Sequence, residues 1–261
     1  AMGRYGGREC SYASDADVIA LHEAVGGASD SEAAASATAI VNRVKKLLGS
    51  ATSQLGIVVD LDLRPEGKNG PMSRTIASHE EYAQRWASTW ERQAAVRARP
   101  IGDGGLAQAA RSLFESMAYR DVSEAEVRDI RLLKARMENE RLPRGTEPAR
   151  HVKLGPGGLT DVEWTIQLIQ MRHGREVEAL RTSSTTDAIA AARDAGLLQA
   201  PDAEILLNAW DLATRIRAGN TLATGRMSGV KLDVVPRDSA ELGALAAILG
   251  YGSGGLTALE E

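Results

Sequence analysis

Two aspartates one residue apart, Asp15 and Asp17, run directly into Val18-Ile19-Ala20-Leu21. The apolar, β-branched run predicts a strand over residues 15–22, and strand side chains alternate faces. The two carboxylates therefore share one face at the start of that strand. Adjacent carboxylates repel unless a cation lies between them. A second acidic stretch, Val59-Asp60-Leu61-Asp62-Leu63-Arg64, predicts another strand over 56–64, stopped by Pro65. Asp60, Asp62 and Arg64 share one face of it by the same period. Few folds bring such segments together except a sheet with the acids gathered at one end.

Hard oxygen donors of this kind suit Mg²⁺ or Mn²⁺. A Gly6-Gly7 turn lies just upstream, and Ser14 stands directly before the pair. Three carboxylates on neighbouring strands beside a glycine turn describe a two-metal phosphoryl-transfer site. Alone, an Asp-x-Asp is common on exposed turns; the combination carries the reading.

Composition narrows the rest. The chain has 261 residues, enough for one large domain or two small ones, and is 43% hydrophobic but only 4% aromatic. Its core is expected to rest on Leu, Ile, Val and Ala. The net charge of −4 with mixed signs excludes a concentrated basic surface for nucleic acid. The single cysteine, Cys10, excludes an internal disulfide framework and fits a reducing cytoplasm. No run of about 18 apolar residues is present, so no membrane partner is expected.

The first hundred residues alternate strand and helix. A helix is predicted over Ala33–Leu48, entered through Ser29-Asp30-Ser31, with Ile40, Val41, Val44 and Leu47 as a buried stripe. A Gly/Pro/Asn loop follows at Glu66–Pro71, then one long helix from Glu80 to about Arg97 with Ser78 as N-cap. Ile101-Gly-Asp-Gly-Gly105 is the linker candidate, and the pattern beyond it is purely helical. Ser123–Glu126 and Thr160–Glu163 match capping boxes. The first opens a helix to about Arg141, the second a helix to about His173. Further helices are predicted at 185–195, 202–223 and 238–249, and short connections imply an antiparallel bundle. Trp86, Trp90, Trp164 and Trp210 fall within predicted helices and are expected in the core.

Several blocks together resemble the adenylyltransferase half of the glutamine synthetase adenylyltransferase/adenylyl-removing family, within the nucleotidyltransferase superfamily typified by DNA polymerase β. They are Met2-Gly-Arg-Tyr-Gly-Gly-Arg-Glu9, Tyr12-Ala-Ser-Asp-Ala-Asp17, Asp60-Leu-Asp-Leu-Arg-Pro-Glu-Gly-Lys-Asn-Gly-Pro71 and Thr89-Trp-Glu-Arg-Gln93 with Arg97-Ala-Arg99. Lys134-Ala-Arg136, Glu140-Arg-Leu-Pro-Arg-Gly145 and Lys153-Leu-Gly-Pro-Gly-Gly-Leu-Thr-Asp-Val-Glu-Trp164 continue them in order. The wording looks actinobacterial.

The resemblance implies an α+β architecture: a polymerase-β-like nucleotidyltransferase core over residues 1–103 and an antiparallel helical bundle over 104–261. It implies that Asp15, Asp17 and Asp60 are the catalytic and metal-binding acids. Asp60 is chosen over Asp62 because the family's third acid lies four residues before its Arg-Pro pair. Gly6, Gly7, Ser14, Arg64, Lys68, Arg97, Arg99 and Lys153 are the implied nucleotide contacts. For Arg97 and Arg99 the competing reading is pairing with acids at a helix end. For Gly155–Gly158 it is a tight turn, with Lys153, Asp161 and Glu163 facing the cleft.

The implied reaction moves AMP from ATP to a tyrosine hydroxyl of glutamine synthetase with Mg²⁺ or Mn²⁺, in the cytoplasm. A PII-type signalling protein is the second implied partner. The opposite activity, phosphorolytic removal of AMP, and a catalytically incomplete regulatory fragment are the alternatives. Tyr5 and Arg8-Glu9…Tyr12 favour the transferase half. Since residue 1 is not Met and only two residues precede Gly3, an excised piece with a shortened first strand is expected.

Overall fold

A computed structural model of the chain describes residues 1–12, 14–49, 56–227 and 229–251. A short helix, α1 (Gly3–Gly6), precedes strand β1 (Ala16–Asp17) and strand β2 (Ala20–Leu21). Helix α2 (Asp30–Gly49) leads to β3 (Val59–Asp60) and β4 (Ser73–Arg74). Helices α3 (Ile76–Arg85), α4 (Thr89–Ala95), α5 (Gly104–Ala118) and α6 (Glu124–Arg141) follow. The chain closes with α7 (Leu159–His173), α8 (Thr185–Asp194), α9 (Ala200–Thr224) and α10 (Ser239–Ile248). The architecture is mixed and mainly helical, with a small parallel strand set. No helix among the described residues is long and apolar enough to cross a membrane.

The two predicted strands are shorter than their sequence patterns. Over residues 15–22 the run splits because its halves pair with different segments. β1 runs parallel to β3, with Asp17 opposite Asp60, and β2 runs parallel to β4, with Leu21 opposite Arg74. Ala16 N–H donates to Val58 O and Val18 N–H to Asp60 O, both at 2.8 Å. Asp62 and Arg64 lie beyond β3 in a turn, so the predicted common face of the three residues is not formed.

The predicted buried stripe on α2 is absent. No residue of this helix is buried, and Ile40, Val44 and Leu47 are largely exposed. The helix contacts mainly β2, β3 and β4, and two-residue strands are too small to cover twenty helical residues. Its entry is as predicted in kind: Ser29 and Glu32 exchange hydrogen bonds across the first turn.

The predicted helix from Glu80 to Arg97 is two helices. Thr75, not Ser78, caps α3, accepting from Ser78 N–H at 3.2 Å. The chain leaves helical geometry at Trp86, and Ser88 with Glu91 starts α4 as a full capping box. Trp86 is consequently 62% exposed and Trp90 39%, against the expectation of core packing. The Ser123–Glu126 box opens α6 as predicted. Thr160 does not cap α7. That helix begins earlier, with Gly158 as N-cap, so Thr160 sits in its first turn and donates to Lys153 O at 2.8 Å.

Among the described residues, three apolar clusters hold the helices together. The largest joins Met2 to Ala95 of α4 and Val96 just after it, to Leu113, Phe114 and Met117 of α5, and to Ile130 and Met171. A second packs α7, α8 and α9 through Val162, Ile166, Ile189 and Ala203. A third packs α10 on α9 through Ile216, Leu242 and Leu245. The only phenylalanine, Phe114, is buried, and aliphatic residues supply most of the remainder.

Candidate active site

The parallel pairing of β1 with β3 sets Asp17 beside Asp60, and Asp15 lies just before β1. Asp15, Asp17 and Asp60 each offer a carboxylate oxygen, and these three atoms lie within 4.8 Å of one another. Asp60 is fixed in orientation because its Oδ1 accepts Asp62 N–H at 2.6 Å. The Asp62 carboxylate turns away, toward Lys68 at 3.4 Å and Arg64 at 3.9 Å. Gly3, at φ +52°, brings backbone against the group: a Cβ there would lie 2.8 Å from Asp17 Oδ2.

Burial, together with the nearby Asp15 and Asp60 charges, pushes the Asp17 carboxyl up to about 6. The folded state thus binds this proton more tightly than the unfolded chain. The resulting charge penalty is absent below about pH 4, grows between the ordinary value of 3.8 and about 6, and is complete above it. Asp17→Asn is therefore expected to stabilise the divalent-free chain at pH 7 by about 1 kcal/mol, after allowance for solvent screening, and by nothing at pH 4. Urea unfolding in chelator at both pH values checks this. Equal stabilisation at the two would sink it.

Asp15 and Asp17 open into a cleft of about 260 Å³, lined also by Arg4, Ser14, Ala94, Arg97, Lys153, Glu163, Gln167 and Arg217, while Asp60 lies beside them and does not itself line it. A larger cavity of about 340 Å³, between Gly145–Arg150 and Val230–Glu241, lacks such an acid cluster and holds the ion pair Arg237–Glu147. The chemistry selects the smaller one.

Of the predicted nucleotide contacts, Ser14, Arg97 and Lys153 line the cleft, whereas Gly6, Gly7, Arg64, Lys68 and Arg99 do not. Ser14 Oγ accepts Ser11 N–H at 2.8 Å. Arg97 is buried: it is ion-paired with Glu9 and donates to Glu163 and Thr185 Oγ1, both at 3.1 Å. Arg99 donates to Gly6 O at 2.8 Å and Tyr5 O at 3.0 Å, closing the end of α1. Arg64 holds the carbonyls of Leu61, Lys68 and Gly70, and Lys68 is exposed. Gly6 is demanded by protein packing, since a Cβ there would fall 1.9 Å from Arg97 O.

Residues 1–113 match the family model described as glutamate-ammonia ligase adenylyltransferase. Residues 131–261 match the one described as GlnD PII-uridylyltransferase. A bifunctional glutamine synthetase adenylyltransferase/adenylyl-removing enzyme of Streptomyces coelicolor is 47% identical over 97% of this chain. The chain belongs to the glutamine synthetase adenylyltransferase family. Relatives of the same description from Bifidobacterium longum subsp. infantis and Mycobacterium marinum are 47% and 42% identical over 97% and 96% of it. The chain spans about a quarter of the length of these relatives.

In this member of the adenylyltransferase family, two cleft cations escaped the sequence reading. Arg4 was visible only as part of the Met2–Glu9 block. Its guanidinium reaches Glu163 and Thr214 Oγ1, both at 3.4 Å, and lies 5.6 Å from the Trp210 ring centre. Arg217 had no sequence signal, because nothing local distinguishes it from Arg215, the other arginine of α9.

Proposed function

We propose that the chain carries the adenylyl-transfer centre, moving AMP from ATP to a tyrosine hydroxyl of glutamine synthetase and releasing pyrophosphate. The observation that carries this reading is the gathering of Asp15, Asp17 and Asp60 within 4.8 Å. In this reading residues 1–103 are a polymerase-β-like nucleotidyltransferase core, and residues 104–261 are the helical bundle forming the other wall of the cleft.

The donor set fits a hard divalent ion, Mg²⁺ or Mn²⁺: three carboxylates, no thiolate, and an Asp17 whose charge is opposed by its surroundings. Such an ion supplies neutralisation of the phosphates and a lowered pKa for the attacking hydroxyl. Asp15 and Asp17 serve the phosphate side. Asp60, held by the Asp62 amide, orients the tyrosine hydroxyl and accepts its proton. The tyrosine oxygen bonds to the α-phosphorus in line with the bond to the β-phosphate oxygen. That bond breaks, and pyrophosphate leaves with the electron pair. Ser14 and Lys153 contact the nucleotide. Arg97, in the cleft wall but held by Glu9, Glu163 and Thr185, and Arg99, Arg64, Gly6 and Gly7 behind the cleft fix the backbone that presents the acids. Lys68, pairing with Asp62, steadies the loop after β3.

The helical region that matches the GlnD PII-uridylyltransferase model supports a PII-type signalling protein as regulator. A cytoplasmic setting agrees with both proposed partners. Incubation with α-labelled ATP, Mg²⁺ and glutamine synthetase is expected to place label on the synthetase as AMP-tyrosine. Release of AMP from modified synthetase by phosphate, with no forward labelling, would replace this reading by the adenylyl-removing one.

A further inference from the structure

Asp233 joins two cations that line the acidic cleft from its helical side. Its Oδ1 accepts Arg217 Nε at 2.5 Å, and its backbone carbonyl accepts Val152 N–H at 2.8 Å. Lys153 is the next residue. The surrounding contacts make this junction stiff. Val235 N–H donates to Arg150 O at 2.9 Å, and His151 bridges Val234. Asn220, three residues after Arg217 on α9, is buried and donates to Leu232 O at 3.1 Å and Val234 O at 3.0 Å. The Arg217 and Asp233 side chains are themselves only 14% and 19% exposed.

The charges in the cleft are unequally committed. Arg4 and Arg97 both pair with Glu163, and Arg97 pairs with Glu9 as well. Lys153 makes no ion pair among the described residues. Arg217 spends Nε on Asp233, while its terminal nitrogens make no hydrogen bond to described residues. A guanidinium with free terminal N–H groups and a neighbouring ammonium match the oxygens of a polyphosphate. Both line the cleft that also holds Asp15 and Asp17.

We propose that Arg217 and Lys153 form a two-cation clamp for the β- and γ-phosphates, and that Asp233 is the positioning residue that sets both cations. The clamp rests on the reading of the acidic cleft as the ATP site. It stabilises the pyrophosphate as the bond to AMP breaks. It also assigns the helical half of the chain a direct part in holding the nucleotide.

Calorimetric titration of the chain with Mg-pyrophosphate and MgATP, alongside Mn²⁺ binding followed by paramagnetic resonance, tests the clamp. Lys153→Ala, at an exposed position, and Arg217→Ala are each expected to weaken both phosphate ligands about tenfold to a hundredfold. Mn²⁺ binding stays unchanged, and Arg217→Lys recovers part of the loss. Asp233→Asn alone weakens pyrophosphate binding. In an Arg217→Ala background it adds nothing, because the carboxylate acts through Arg217 while asparagine keeps the backbone carbonyl that holds the Lys153 segment. Normal pyrophosphate binding by both cation variants, with binding abolished in Asp15→Asn, overturns the clamp and leaves the ATP site standing. Normal binding in Asp15→Asn as well overturns the ATP site itself.

Discussion

Asp60→Asn is expected to lower AMP transfer by about a thousandfold or more while leaving the unfolding midpoint within a small shift. The change removes one negative oxygen from the group of three acids but keeps size and the hydrogen bond from Asp62 N–H. On the proposed reading, in which Asp60 orders both the cation and the attacking hydroxyl, its loss forfeits several kcal/mol of transition-state stabilisation, and about 1.4 kcal/mol corresponds to a factor of ten. Asp62→Asn is expected to cost far less, since that carboxylate faces Lys68 and Arg64 rather than Asp15 and Asp17. Rates of label transfer to glutamine synthetase, measured for both variants beside their urea unfolding curves, decide the matter. A dead Asp62 variant beside an active Asp60 variant would reverse the assignment.

Arg92→Ala is expected to be the most destabilising single truncation of a charged residue, at about 3–5 kcal/mol. Arg92 is 2% exposed. Its guanidinium donates to Met117 O at 3.0 Å and Arg120 O at 3.2 Å and is ion-paired with Glu126, the capping glutamate of α6. One side chain of α4 thus satisfies carbonyls at the end of α5 and the acid at the start of α6. Removing it strands all three and leaves a cavity against the largest apolar cluster. Arg92→Lys recovers only part, because one ammonium cannot span three separated acceptors. A urea-unfolding loss below about 1 kcal/mol for Arg92→Ala would refute this account.

Those two residues also mark what the sequence could reveal. The grouping of Asp15, Asp17 and Asp60 was legible because period-two spacing and a second acidic strand are local signals. The helices from α6 to α10 were legible through the Ser123 box and the helical pattern of the later segments, to within a few residues. The α2 stripe misled because periodicity reports which face is apolar, not whether anything covers it. The helix expected from Glu80 onward broke because the Ser88 capping box outweighed continuous helical propensity. Arg92 and Arg217 were illegible in role, and for Arg97 the sequence offered acid pairing as a reading without naming the acids, Glu9 and Glu163. An arginine's partners, here Glu126, Glu9 and Asp233, lie far away in the sequence and are fixed only by tertiary packing.

The contact between Glu9 and Thr185 has a consequence for the order of events during synthesis. The Glu9 carboxylate accepts Thr185 N–H at 2.5 Å across 176 residues of chain, and Arg97 ties both to Glu163. Met2 likewise finds Met171 among its core neighbours. β1 and β3 themselves share only a two-residue ladder, too little to persist unaided. The acidic strands therefore leave the ribosome well before the residues that anchor them and remain unanchored until α7 and the start of α8 have emerged. Loops this long close slowly, because their entropy is lost before the contacts form. The segment carrying Asp15 and Asp17 is made long before it can be fixed, and a chain stalled before Thr185 would display its carboxylates without holding them in place.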